Sequence, residues 1–542
     1  MGTYVNPGSE SFTTDTGGEI YVDKTGLLEI LNKSISGPNH FFAVSRPRRF
    51  GKSMAAGMID AYYSRGCDSE ALFSKYEISK APDFKTHLNK YNVLHFDTSS
   101  FLNAPKTPED VIPMMDEALL ESMKKEFPFL KGEKPVNTPA AMFSVYEHDG
   151  IRFIVIIDEW ECIIRDAKDD EKLIADYLKY LRGFFKTEES KKFLALGYIT
   201  GILPIKKVKG ESALNNFTEY TMISPKQLAP FFGFTEQEVE RLCKDHYMDA
   251  DEVRHWYDGY RMQWREGREH DLKKIHVYNP NSLVHAMLDG TTESYWKNTG
   301  AFETVNDYIE LNEAGLKDDV IAMMAGERRP VDVSTFQNDL THYKTKDDVL
   351  TALIHMGYLG YDSETGEAFV PNEEVREVFE SAVKVGDWTD VQDALRSSDA
   401  LLKATWAGDE KKVAEVIGRS QQDYASIINF NDENALACAV MMSYYTVRKH
   451  YYVKRELPAG KGFADIVFIP RNEGEHPAMI VELKWNRSAR AAIRQIRDKE
   501  YAGALSDYSG EILLVGINYT KKTGRYSCRI EKLPNGVAWL AD

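Results

Sequence analysis

The sequence predicts an α/β protein in three parts: a mainly parallel-sheet domain, a helical and winged-helix-like middle region, and a second α/β domain at the C-terminal end. Three observations carry that reading. Four apolar, β-rich runs alternate with amphipathic stretches through the first 205 residues, a mostly helical pattern follows, and the α/β rhythm resumes beyond about residue 421. At 542 residues the chain exceeds what one hydrophobic core holds, and a composition that is 43% hydrophobic and 12% aromatic supplies several.

The four runs are Phe41–Ser45, Val93–Asp97, Phe153–Asp158 and Phe193–Ile199. Each is short, mostly apolar and rich in β-branched or aromatic residues, as strands buried on both faces are. Met54–Tyr63, Pro108–Phe127 and Lys172–Phe185 lie between them and read as helices, and the alternation predicts a parallel sheet. From about Ser224 to Gly408 the pattern is mostly helical, with turns at Asp258-Gly259, Asn279-Pro280 and Asp289-Gly290. Within it, a helix at Asp347–Met356, a hairpin through Ser363–Gly366 and a helix near Glu373–Val383 follow the order of a winged helix. Such a unit either reads DNA or serves only for packing. The last block reads as helix Glu433–Tyr445, strands Ile466–Ile469 and Met479–Lys484, helix Ala489–Leu505 and strand Ile512–Ile517.

No stretch approaches the roughly 18 to 20 uncharged apolar residues that span a bilayer, and the polar start Met1–Glu19 is unlike a secretion signal. The expectation is a cytoplasmic protein without membrane contact. Five scattered cysteines, Cys67, Cys162, Cys243, Cys438 and Cys528, fit neither a disulfide framework nor a zinc site and read as buried thiols. A net charge of −17 argues against a uniformly phosphate-binding surface. The charge is unevenly placed, because from Gln421 onward 17 Lys and Arg stand against 14 Asp and Glu. Lys484, Arg487, Arg490, Arg494, Arg497 and Lys499 cluster there, either as nucleic-acid contacts or as the solvated face of a helix.

The first run leads into Arg46-Pro47-Arg48-Arg49-Phe50-Gly51-Lys52-Ser53 and then a helix. A phosphate-binding P-loop needs N–H groups at a helix N-terminus, a lysine for the β- and γ-phosphates and a hydroxyl for Mg²⁺. Gly51, Lys52 and Ser53 supply these, with Arg46 where the usual first glycine stands. What raises the reading above a chance tripeptide is Phe153–Ile157 ending in Asp158-Glu159. In that arrangement the aspartate orients Mg²⁺ and the glutamate activates a hydrolytic water; the same pair also suits a helix N-cap. Thr200, at the tip of the fourth run, is placed to sense a γ-phosphate or simply ends the strand.

A second constellation lies near the C-terminal end. Metal-assisted phosphodiester cleavage needs carboxylates for Mg²⁺ and a cation or base near the attacking water. Asp465 opens the strand Ile466–Ile469 after the turn Gly460-Lys461-Gly462. Glu482 and Lys484, two residues apart, share one face of the next strand while Val481 and Leu483 face the other way. A charged pair inside an apolar run requires a partner, which is either a metal shared with Asp465 or a structural ion pair. Glu433 on the preceding helix is a further acidic candidate, and Gln495 with Tyr501 follows at a spacing looser than the Gln-x-x-x-Tyr pair of helicase-linked nucleases.

Arg46–Ser53 (RPRRFGKS), Asp158-Glu159, Thr200-Gly201-Ile202, Trp256–Tyr260 (WYDGY), Tyr278-Asn279-Pro280 and Gly460–Asp465 (GKGFAD) with Val481–Trp485 (VELKW) together resemble the bacterial AAA-ATPase-like family fused to a PD-(D/E)XK nuclease domain. The resemblance runs over almost the whole chain. It implies an AAA-ATPase-like P-loop domain over 1–223, a helical and winged-helix-like relay over 224–408, and a restriction-endonuclease-like PD-(D/E)XK domain over 409–542. It implies that Arg46 is normal at its position and that Arg48, Arg49 and Phe50 belong to the nucleotide-binding loop. ATP and Mg²⁺ are the implied cofactors, with Mn²⁺ as an alternative at the nuclease site, and nucleic acid, DNA before RNA, is the implied partner. The implied function is a nucleotide-regulated, Mg²⁺-dependent nuclease; the alternative is an ATP-dependent switch or scaffold that binds nucleic acid or a protein partner without cleavage. Homo-oligomers are compatible with both. One departure stands out: Trp160-Glu161 follows Asp158-Glu159 where many members carry Tyr-Asp.

Overall fold

The structure, a computed structural model, describes residues 4–102, 107–167, 170–205, 214–266, 271–296, 315–334, 345–385, 389–424, 433–459, 462–472, 474–501 and 508–533, with single positions at 305, 308, 336, 343 and 505. Two compact units are present. One comprises residues 1–301 with 330–378, the other 302–329 with 379–542.

The first unit is built on a five-stranded parallel sheet: β1 Phe41–Ser45, β2 Asn92–Asp97, β3 Phe153–Asp158, β4 Leu194–Gly201 and β5 Thr218–Tyr220, in the order β2-β3-β4-β1-β5. Side-chain alternation explains why helices cover both faces. In β3, Phe153, Val155 and Ile157 enter one apolar cluster while Ile154 and Ile156 enter the other; in β1, Ala43 and its neighbours Phe42 and Val44 divide in the same way. The first face is closed by the helices Val111–Glu126, Thr138–Asp149 and Glu171–Phe185, the second by Lys52–Tyr63. The expected strands and helices are all present, with ends moved by a few residues. β5 is an addition, because three residues with one buried side chain carry almost no pattern.

The middle of the chain is less helical than expected. β6 Phe234–Thr235, β7 Tyr260–Glu266 and β8 Asp271–Tyr278 form an antiparallel sheet in the order β6-β8-β7. The alternating Tyr260 and Met262 of β7, with Val277 opposite, bury one face against Phe50, while the charged outer ends of both strands hide the period-2 signal. Asn279 and Pro280 start a helix rather than a free turn: the Asn279 side chain accepts the Asn281 N–H at 2.9 Å, and the helix runs Pro280–Asp289. The winged-helix order is observed, as helix Lys346–His355, the antiparallel pair β10 Gly360–Asp362 and β11 Glu367–Phe369 (preceded by β9 Arg329–Pro330), and helix Glu373–Val385.

Gly259 locks this region. Its φ is +133°, and an added Cβ would collide with the Pro371 carbonyl. Gly259→Ala combines a backbone conformation open only to glycine with a collision against main chain, and strain of this kind costs about 1–3 kcal/mol. The variant is expected to unfold at lower denaturant concentration, read by far-UV circular dichroism.

The second unit carries β12 Tyr451–Ala459, β13 Gly462–Pro470, β14 Ala478–Trp485, β15 Ile512–Thr520 and β16 Arg525–Leu533 in that spatial order. Only β14 and β15 run parallel. β12 and β16 are edge strands rich in Lys, Arg and Glu, as edges that resist further pairing are, which is why the apolar pattern does not reveal them. The helix after β14 spans Ala489–Asp498 and stops short of the expected Leu505, because Glu500 takes a left-handed conformation with φ +58°. Helix Glu410–Tyr424 packs against β16, so the α/β unit begins upstream of Gln421. Among the described residues no helix is long and apolar enough to cross a membrane. Cys67, Cys162, Cys243 and Cys528 are free thiols; the Cys438 side chain, like Gly460 and Lys461, lies outside the described residues.

Candidate functional site

In the first unit the carboxyl ends of β1, β3 and β4 converge, where ligands sit in open parallel sheets. Gly51, with φ +83°, turns the chain from the loop into the helix Lys52–Tyr63. Lys52 Nζ donates to the carbonyls of Arg46 at 3.1 Å and Pro47 at 3.0 Å, which leaves one of its three protons for a phosphate oxygen. Ser53 Oγ donates to Asp158 Oδ2 at 2.6 Å, so the expected Mg²⁺-side hydroxyl and carboxylate are neighbours. A cavity of about 760 Å³ opens over this end, lined by Gly51, Lys52, Ser53, Asp158 and Glu159 and on its apolar side by Tyr21.

Two of the expected nucleotide contacts, Phe50 and Thr200, and the arginine at the first loop position are placed differently from a simple phosphate cradle. The Phe50 ring is buried and packs edge-on against Tyr260 at 5.5 Å, so its main chain is what remains for a ligand. Thr200 is fully buried and donates its hydroxyl to Asp158 Oδ1, which fixes the carboxylate and commits the proton that would read a γ-phosphate. Arg46 is also fully buried. Its Nη1 donates to Ser45 O at 2.8 Å and Tyr220 O at 2.9 Å, tying β1 to β5, and the guanidinium lies 5.4 Å from the Phe232 ring centre. That role explains how an arginine occupies the first loop position without obstructing phosphate. Arg48 and Arg49 are exposed and line the cavity.

Two residues of this site were not apparent from sequence. Glu161 is completely buried, accepts the Ile202 N–H at 2.7 Å, and is pushed up to about 7 by burial and then by the charge of Glu159. Arg165 places Nη1 3.9 Å from Glu159 Oε2 and 4.0 Å from Glu161 Oε1. The four-residue helical spacing of Glu161 and Arg165 is the signal that could have found the pair.

In the second unit, Asp465 on β13 accepts the Leu483 N–H of β14 at 2.7 Å. Lys484 Nζ donates to Glu482 Oε1 at 2.8 Å and to Leu483 O at 2.9 Å. The three residues of the expected triad therefore form one cluster. Glu482 is 0% exposed, and its Oε2 is buried without a hydrogen-bond partner. A buried acceptor left unsatisfied costs free energy, and a hard divalent cation is what a carboxylate pair of this kind accepts. Asp465 and Glu482 thus fit a hard divalent cation. Among the described residues no group of three or more His, Cys, Asp and Glu forms a metal cluster. Glu433 opens the helix Glu433–Ser443, but its side chain lies outside the described residues. Gln495 Nε2 donates to the Tyr501 hydroxyl at 3.3 Å, and Tyr501 is buried in the core, so the looser spacing still joins these two side chains.

Residues 8–209 match the family model described as "Predicted AAA-ATPase", and residues 431–527 match the PD-(D/E)XK nuclease superfamily. The chain carries an AAA-ATPase-like domain and a PD-(D/E)XK nuclease superfamily domain. It is also similar to a protein from Azotobacter chroococcum mcd 1, described as an uncharacterized protein in the vnfD 5′ region, with 24% identity over 285 residues. The match covers 52% of this chain, which spans about half the length of that relative (50%).

Burial, and after it the Asp465 charge, pushes the Glu482 carboxyl of the PD-(D/E)XK domain up to about 7. Because the folded value is raised, the fold favours the protonated acid: this stabilisation is complete below the ordinary carboxylate value and is lost as pH rises through about 7. A cation must displace the same proton, so its affinity rises over that window, by about tenfold between pH 6 and 8. The expected result is that divalent cations raise the melting temperature more at pH 8 than at pH 6, and that Glu482→Gln removes this difference. Calorimetry in EDTA and in Mn²⁺ at the two pH values checks it.

Proposed function

We propose that this chain is a nucleotide-regulated, Mg²⁺-dependent nuclease of the cytoplasm, hydrolysing phosphodiester bonds of nucleic acid, DNA before RNA. Its functional modules are the ATP-binding and hydrolysing region 1–223, the relay 224–408 and the nuclease 409–542. The observation that supports the reading best is the fully buried Glu482, with one oxygen unpartnered, beside Asp465 and Lys484. Asp465 and Glu482 would hold the cation, which when bound supplies Lewis-acid activation of the phosphate and of a water. Lys484, held by Glu482 and a main-chain carbonyl, places its positive charge beside the carboxylates, where a phosphate or an attacking hydroxide gains from it. In the other module Lys52 and the loop N–H groups would bind the nucleotide phosphates, Ser53 and Asp158 would hold their Mg²⁺, and Glu159 would act on water.

The test is incubation of the full-length protein and Asp465→Ala with single- and double-stranded DNA and RNA, with Mg²⁺ or Mn²⁺, with and without ATP. Metal-dependent cutting by the parent alone supports the reading, and binding without cutting in every condition returns the alternative of a switch or scaffold. Keeping the two activities in one chain is useful if nucleotide sets the cutting rate. Lys52→Ala is therefore expected to change cleavage by the full-length protein, in either direction, by up to about 150-fold, the upper end of typical coupling between sites. Cleavage indifferent to ATP, to a slowly hydrolysed analogue and to Lys52→Ala would detach the ATPase from the nuclease.

A further inference from the structure

We infer that Arg165 is a positioning residue for ATP hydrolysis, the cation that steers the Glu159 carboxylate toward the attacking water; this rests on the ATPase reading above. The main chain of Glu159 is held on several sides. Its N–H donates to Asp158 Oδ1 at 3.0 Å, and its carbonyl accepts the Cys162 N–H at 2.9 Å and the hydroxyl of Thr98, which follows β2. The resulting left-handed turn, with φ +50°, is uncommon for a residue with a side chain, and such outliers gather at active sites. The carboxylate itself is held by far less. Among the described residues no group hydrogen-bonds it, and Arg165 Nη1, at 3.9 Å, is its one ion-pair partner.

The guanidinium is placed by its own neighbours. Arg165 lies in the short helix Cys162–Asp166, where Nε donates to Asp166 Oδ1 at 3.0 Å and Nη2 to Cys162 Sγ at 3.1 Å. Two of its nitrogens are thus committed, and Nη1 is left to face the carboxylates. On the inner side Nη1 lies 4.0 Å from Oε1 of the fully buried Glu161, which also accepts the Ile202 N–H. Glu161 presses so closely on the tip of β4 that a Cβ added at Gly201 would collide with its carboxylate. The chain Glu159–Arg165–Glu161 therefore runs from the cavity to the same strand tip that carries Thr200, the partner of Asp158.

The separation suits the task. At 3.9 Å the pair attracts without a hydrogen bond, which needs about 2.7–3.2 Å, so the carboxylate oxygens stay available for a proton from water. A partly buried pair is screened less than one in open solvent, and the charge of Arg165 therefore sets which way Glu159 points. Glu159 and Arg165 both line the cavity over Gly51, Lys52 and Ser53. Arg48 and Arg49 line it too, but among the described residues neither forms an ion pair with Glu159.

The decisive measurements are single-turnover ATP hydrolysis and titration with a labelled ATP analogue. They are made on the full-length protein, Arg165→Ala, Arg165→Lys, Glu159→Gln and the double variant Glu159→Gln with Arg165→Ala, and circular dichroism verifies folding; Arg165→Gln, which keeps much of the stem, replaces Arg165→Ala if that variant unfolds. Arg165→Ala is expected to bind the analogue as the parent does and to hydrolyse ATP about 10- to 100-fold more slowly, the effect of a base misplaced by about 1 Å. Arg165→Lys keeps a charge there and recovers part of the rate. In the Glu159→Gln background Arg165→Ala slows hydrolysis no further, because the carboxylate it steers is gone. A parental rate in Arg165→Ala, no recovery with Lys, a loss of affinity that matches the loss of rate, or an equal further loss in the double variant overturns the inference. The ATPase reading fails by other results: a parent that binds ATP without hydrolysing it, or a Glu159→Gln variant at the parental rate, removes that reading and the positioning role with it. Hydrolysis lost in Glu159→Gln and kept in Arg165→Ala removes the role of Arg165 alone.

Discussion

Asp465→Ala and Glu482→Ala are each expected to cut nucleic acid at least about a hundredfold more slowly than the parent, since a bound cation supplies several kcal/mol and each 1.36 kcal/mol is a factor of ten in rate. The two substitutions differ in what they do to the fold. Glu482 is fully buried with one unpartnered oxygen, so its removal also relieves an unsatisfied acceptor and leaves Lys484 without its carboxylate at 2.8 Å. Asp465 is only half-buried, and its loss frees the Leu483 N–H. Glu482→Gln is the cleaner companion, because it keeps the volume and a carbonyl oxygen toward Lys484. Initial rates on a defined oligonucleotide, with circular dichroism to verify folding, measure the effect. Folded variants that cut at the parental rate would remove both residues from the site.

Much of this arrangement was legible because parity is a strong constraint. Glu482 and Lys484 interrupt the apolar run of β14 at a two-residue spacing, and β13 supplies Asp465 opposite; the structure brings the three together as that pattern requires. The parallel sheet was equally readable, since β1, β3 and β4 are buried strands with little polar content. Other features left little trace in the sequence. Arg46 reads as part of a phosphate loop, yet its side chain turns inward to the Tyr220 carbonyl of β5, and three residues of β5 give no periodic signal. Thr200 and Asp158 are joined through pairing of strands 42 residues apart, a contact that no local pattern encodes.

Glu159→Gln is expected to bind ATP as the parent does and to turn it over at least about a hundredfold more slowly, the lower range for loss of a general base. The geometry separates this residue from its neighbour. Asp158 is buried and engaged by Ser53 at 2.6 Å and by Thr200, so it is committed to holding groups in place. Glu159 is half-buried and lines the cavity, with a left-handed backbone of φ +50° and its carboxylate 3.9 Å from Arg165. Replacing its carboxylate by an amide preserves size while removing basicity, whereas Lys52→Ala and Asp158→Ala remove groups expected to touch the phosphates and their cation. Those two variants should lose affinity first, measured by fluorescence titration with a labelled ATP analogue. Phosphate release at saturating ATP then isolates the Glu159→Gln defect as one of kcat rather than of binding. Equal loss of affinity in all three variants would assign Asp158 and Glu159 to the framework around the loop and reduce the site to a phosphate holder without hydrolysis.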